Sequence, residues 1–181
     1  MAKPSDTDRA NLAQIAYKHN LDSSDLEHVI DIESGFDPKA INYKSGAVGI
    51  AQWTAATLKR LGTSRNEVLD MPFAEQCALL DKYFDQIPKP IEHDVYMAFA
   101  APAHVGDPDE TVIYPVDKGP KSAWTQNPGW RSAGNGPITA GSIRAYAANA
   151  KRSKGHPTQT TGMALAVVLI IVLFGLRSRR A

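Results

Sequence analysis

Glu33 stands where a helix would keep its apolar side. Leu26, Val29, Ile30 and Glu33 are spaced i, i+3, i+4 and i+7, which places them on one stripe of an α-helix. Glu27, His28 and Asp31 fall on the other side. Glu33 therefore continues an apolar stripe at its C-terminal end. Burial disfavours the charged form of a carboxyl group, so the position predicts a raised pKa. A carboxyl group that keeps its proton near neutral pH can serve as a general acid, for instance toward the leaving oxygen of a glycoside. From position alone an alternative stays open, in which Glu33 turns to solvent or pairs with a lysine.

Other reactive side chains offer less. Cys77 is the single cysteine, so no internal disulfide can form. It lies inside the apolar helical pattern Phe73–Ile87 and reads as a small buried hydrophobe, a catalytic thiol being the remaining option. His19, His28, His93, His104 and His156 show no metal-ligand spacing. The run Arg131–Thr139 has the spacing of a calcium loop, but Arg131, Ala133 and Ser142 stand where oxygen ligands belong. The expectation is a site with no metal and no cofactor.

The elements that must position Glu33 are helical. Residues 8–20 predict a first amphipathic helix with Leu12, Ile15, Ala16 and Tyr17 inward. A second runs from Asp25 to Glu33, opened by a Ser24–Glu27 capping box and closed by Gly35 and Pro38. Ala55–Leu61 stops at Gly62, and Ser64 with Glu67 marks another start. Phe73–Ile87 is the longest pattern, and Glu92–Ala101 adds a further helix. Residues 102–137 are rich in Pro and Gly and read as irregular. Thr139 caps a last helix to Ala150. No alternating strand pattern of useful length is present, so the domain is expected to be mostly α, spanning residues 1–150.

Two linked blocks carry a resemblance. Glu33-Ser34-Gly35-Phe36-Asp37-Pro38-Lys39-Ala40 is followed by Ser45-Gly46-Ala47-Val48-Gly49-Ile50-Ala51-Gln52. The pair resembles the signature of lytic transglycosylases, the goose-lysozyme-like family. The likeness covers residues 8–105 well and 106–150 loosely. It implies a lysozyme-like helical fold and peptidoglycan glycan strands as partner. It also implies roles. Glu33 would protonate the oxygen between MurNAc and GlcNAc, then take the proton of the MurNAc 6-hydroxyl as that group attacks its own anomeric carbon. A 1,6-anhydro end results, and the second carboxylate of ordinary glycosidases is not required. Ser34, Gly49, Ile50 and Gln52 would line the sugar cleft, while Ser45 and Gly46 would shape the turn. Loop-shaping alone is the other reading of each. Trp53, Trp124 and Trp130 could stack on sugar faces or simply pack.

The family's third block reads Ala-Tyr-Asn-Ala-Gly; here it is Ala98-Phe99-Ala100-Ala101-Pro102. Phe99 lacks the tyrosine hydroxyl and Ala100 lacks the amide. Tyr96, one turn earlier, is the candidate to supply the hydroxyl. The stretch from Tyr96 to Tyr114 looks like a subgroup of phage lysis and virion enzymes. Three alternatives remain: a hydrolase of the same fold, a membrane-anchored wall-binding or virion structural protein with a degenerate cleft, and a peptidase, for which no nucleophile or metal constellation is present.

Composition bounds the partners. The 181 residues carry a net charge of +1, so bulk electrostatics gives no reason to expect nucleic-acid recognition. Residues 151–161 are polar and read as a linker. Residues 162–177 read as a single C-terminal transmembrane helix, a contact with lipid. Gly162–Leu176 is free of charge and covers roughly 22 Å as a helix against a hydrocarbon core of about 30 Å. Arg177 could snorkel to complete the span. A basic tail follows at 178–181, and with Arg177 it favours retention on the side of synthesis. The polar N-terminus lacks a secretory pattern. The expected setting is a phage virion membrane, the alternative a bacterial inner membrane with the domain facing the periplasm.

Overall fold

The computed structural model describes residues 4–88, 90–119 and 122–153, and helices dominate them. α1 (Asp6–Lys18) opens with a capping box: the Ser5 hydroxyl accepts the Asp8 N–H at 3.1 Å, and the Asp8 carboxylate accepts the Ser5 N–H at 2.9 Å. Leu12, Ile15 and Ala16 are buried as their spacing predicts, whereas Tyr17 is 90% exposed. α2 (Ser23–Ser34) starts earlier than expected, and Asp22 rather than Ser24 is its cap. Asp22 Oδ1 accepts the Ser24 N–H at 2.7 Å and the Asp25 N–H at 3.2 Å, and the Ser24 hydroxyl donates to the same oxygen at 2.6 Å. A charged oxygen upstream takes the free N–H groups, and Ser24 becomes a donor within the first turn. Gly35, at φ 62°, closes the helix in the left-handed conformation.

α3 (Ala55–Leu61) is capped by Thr54, and α4 (Arg65–Asp70) by the expected Ser64–Glu67 box. α5 (Phe73–Phe84) ends before Ile87, because the Gln86 and Ile87 N–H groups fold back onto Tyr83 and Phe84 carbonyls at 3.0 Å. α6 (Val95–Ala100) is also shorter than expected, since Glu92 adopts φ 44° and cannot belong to a right-handed helix. α7 (Ala123–Gln126) and α8 (Ala140–Ser153) complete the set. α8 takes in three residues assigned to the linker.

The 102–137 excursion is more ordered than its composition suggests. It holds β1 (Val112–Tyr114), which pairs antiparallel with β2 (Ile138–Thr139), and 3-10 turns at Pro102–His104, Pro128–Trp130 and Ala133–Asn135. These strands are too short to show an alternating pattern. Arg131 ties the loop that resembles a calcium site. Its Nε donates to the Trp124 carbonyl at 3.1 Å, and its guanidinium lies 3.7 Å from the Trp124 ring centroid.

α2 is central, packing against α1, α6 and α8, while α1 also packs on α5. Leu12, Leu26, Ile30, Leu80, Met97 and Ile143 are wholly buried at these contacts. Each such side chain contributes about 1.5–3 kcal/mol relative to exposure. Cys77 is buried among them, and burial pushes its thiol up to about 12, as an inert small hydrophobe requires. Among the described residues no helix is long and apolar enough to cross a membrane. The segments at 162–177 and 178–181, and the linker beyond Ser153, lie outside the described residues.

Candidate active site

α2 delivers Glu33 to the inside of the molecule. Leu26, Val29 and Ile30 are buried on the same stripe, so the helix cannot rotate Glu33 into water without exposing them. The Glu33 side chain reaches a pocket lined also by Ala51, Gln52, Trp53, Thr54, Thr57, Tyr83 and Phe99. About 330 Å³ of space lies there, part of it open to solvent. Glu33 Oε2 is buried and has no hydrogen-bond partner. Burial pushes the Glu33 carboxyl up to about 8. The C-terminal end of a helix further disfavours negative charge. The group is thus a proton carrier at neutral pH, facing a groove.

The turn opposite Glu33 is built by backbone bonds and one buried amide. Val48 and Trp53 exchange N–H···O bonds of 3.1 and 2.8 Å, and the Gly49 N–H donates to the Ala40 carbonyl at 2.9 Å. Asn42 Oδ1 accepts the N–H groups of Lys44 and Ser45 at 3.0 and 3.1 Å. Gln76, wholly buried on α5, spans the gap beneath. Its Oε1 accepts the Ile50 N–H at 2.8 Å, and its Nε2 donates to the carbonyls of Pro38 and Val68 at 2.7 and 2.8 Å. Gly49 has φ 77°, and a Cβ there would collide with Gln76 Oε1 and lie 2.9 Å from Val68. Only glycine meets both conditions. Gln52 follows with φ 48°, its Nε2 donating to the Gly49 carbonyl at 3.2 Å.

α6 forms the remaining wall and is held from outside. Arg144 on α8 grips Asp94 through two bonds of 2.8 and 2.6 Å and Asp109 through a third of 2.5 Å. Tyr83 donates to the Ala98 carbonyl at 2.6 Å, fixing α5 to α6. Burial raises the Tyr83 hydroxyl to about 12, so it stays protonated.

The structure thus gathers Glu33, Gln52 and Phe99 around one pocket. Gly49 and Ile50 lie buried in the turn behind it. Ser34 faces back along its helix, its hydroxyl donating to the Ile30 carbonyl at 3.1 Å. Ser45 is exposed at the turn, its hydroxyl accepting the Ala47 N–H at 3.3 Å. Tyr96 is buried toward Trp130 and Tyr146, with ring centroids 6.4 and 6.0 Å away, and its hydroxyl has no partner. Its pKa is raised by burial first and by the nearness of Glu33 second. Of the tryptophans, Trp53 lines the pocket, its Nε1 buried without a partner, whereas Trp124 donates to the Gly136 carbonyl at 2.9 Å and Trp130 packs on Tyr96.

Sequence reasoning missed Thr54, Thr57, Tyr83 and Gln76. Gln76 left a signal: with Phe73, Cys77 and Leu80 it shares an apolar stripe, as Glu33 does on α2. Among the described residues His19, Asp81 and Asp85 bring ligand-type atoms within 4.8 Å of one another, but Lys18 Nζ already lies 2.8 and 3.1 Å from the two carboxylates.

The described residues thus form a helical domain with a buried carboxyl group of raised pKa at a pocket. The chain matches the transglycosylase SLT domain over residues 10–101, and it belongs to that lytic transglycosylase family. This is a family of peptidoglycan-cleaving enzymes, and the mostly helical architecture is consistent with its lysozyme-like fold. Searches of curated proteins and of solved structures gave no match.

Proposed function

We propose that this chain is a peptidoglycan lytic transglycosylase that cleaves the MurNAc–GlcNAc β-1,4 bond with Glu33 as general acid and then base. One observation carries the reading: a carboxyl group with a buried, unpartnered oxygen and a raised pKa faces the groove. Glu33 gives its proton to the glycosidic oxygen as the C–O bond breaks. The carboxylate so formed takes the proton of the MurNAc 6-hydroxyl, whose oxygen closes on the anomeric carbon. The proton count balances, and no water is consumed. Gln52 offers polar atoms beside the bond being broken, and Trp53 offers an unsatisfied N–H.

Mass spectrometry of fragments released from purified cell walls tests this. Anhydro ends are expected from the wild type and no release from Glu33→Gln. Fragments with reducing ends would indicate hydrolysis, and equal clearing by both proteins would remove Glu33 from the chemistry. The setting we propose is local wall opening as a phage penetrates or lyses its host, with residues 162–177 in a lipid membrane. The charge-free run and the following arginines support the membrane placement. Absence of the protein from the membrane fraction of purified particles would count against it.

A further inference from the structure

Arg60 on α3 stands against a residue that lines the same pocket. Thr54 and Thr57 line the pocket, and Arg60 is the next residue at that spacing along the helix. The Arg60 guanidinium carbon lies 5.6 Å from the ring centroid of Tyr83, which lines the pocket as well. The ring face holds the charge in place, while the side chain is exposed to solvent. Among the described residues Arg60 forms no ion pair, whereas Arg9, Lys18 and Arg144 each meet a carboxylate. The cation does not serve Glu33 either, whose raised pKa has burial as its cause.

On a glycan strand, negative charge is carried by the MurNAc unit: by its lactyl carboxylate where no peptide is attached, and by the carboxylates of the peptide where one is amide-linked to it. We propose that Arg60 is an anion subsite that takes a carboxylate of the peptide-bearing sugar while the adjoining glycosidic bond lies against Glu33. The proposal rests on the catalytic reading above and adds to it the part of the substrate that sets register. A guanidinium offers a fork that matches a carboxylate.

Steady-state cleavage by the full chain on two polymers tests it. One is purified peptidoglycan; the other is the same material with its carboxylates converted to amides by carbodiimide and ammonium. Arg60→Gln should lower kcat/KM on the native polymer roughly fivefold to tenfold, mainly through KM, and match the wild type on the amidated polymer. Arg60→Lys should recover part of the loss on the native polymer. Equal loss on both polymers, with an unchanged melting temperature, would make Arg60 a packing residue of Tyr83 and overturn the subsite. No loss on either would overturn it too. A wild type that cleaves neither polymer would instead defeat the catalytic reading, and the subsite with it.

Discussion

The Gln76 side chain holds the backbone of Ile50 at 2.8 Å, across 26 positions of sequence. That bond joins the longest pattern in the sequence to the turn that faces Glu33. With its bonds to Pro38 and Val68, one amide fixes the floor of the groove.

Gln76→Leu should therefore be costly. It strands the buried Ile50 N–H and the buried Val68 carbonyl, each worth about 1–3 kcal/mol when left unsatisfied, and removes the donor to the part-buried carbonyls of Pro38 and Met71. Urea denaturation should show a loss of about 3–5 kcal/mol. A loss below 1 kcal/mol would mean that the turn is held by its own backbone bonds.

Gly49→Ala places a Cβ against that same amide at a left-handed backbone position. A loss of about 2–4 kcal/mol is expected, from strain plus displacement of Gln76. The double variant with Gln76→Ala should lose less than the sum of the two singles, since the clash has gone. Strict additivity in the same denaturation assay would refute the contact.

Glu33 makes stability depend on pH. Its folded pKa, about 8, lies above the ordinary carboxylate value of 4.5. Below pH 4.5 both folded and unfolded chains hold the proton, and no penalty exists. Between 4.5 and 8 the unfolded chain ionises first, so stability falls as pH rises, by at most about 5 kcal/mol. Above 8 this contribution is constant. Glu33→Gln should flatten that slope, melt higher than the wild type at pH 8, and lose about 100- to 10,000-fold in activity. Melting curves from pH 4 to 9 decide the first two points. Wild-type activity should decline as pH passes through about 8.

Tyr96→Phe removes a buried hydroxyl that has no partner. Stability should be unchanged or rise by about 1 kcal/mol. If the hydroxyl serves substrate, kcat/KM falls while the melting temperature holds. If activity also holds, Tyr96 is a packing residue, and the departure at Phe99 has no replacement there.

The position of Glu33 was legible because helical periodicity is local: three buried neighbours on one stripe dictate where the fourth residue points. Capping at Ser64–Glu67 was legible for the same reason. Asp22 was missed because two plausible caps stood close together, and the charged one won. The β1–β2 pairing was not legible, since Val112 meets Thr139 across a long irregular stretch that leaves no period. The pocket was legible only in part. Gln52 and Phe99 sat in recognisable blocks, but Thr54, Thr57 and Tyr83 arrive from α3 and α5, and their convergence is a tertiary event. Gln76 was visible as a polar intruder on an apolar stripe; its partners were not, because they are carbonyl and amide groups of distant turns.

Cys77 has a wider consequence. A fold with one buried sulfhydryl has no internal disulfide to form or to lose. The domain can mature where glutathione dominates and keep the same shape in an oxidising space outside a cell. Dithiothreitol should leave its unfolding curve where it was.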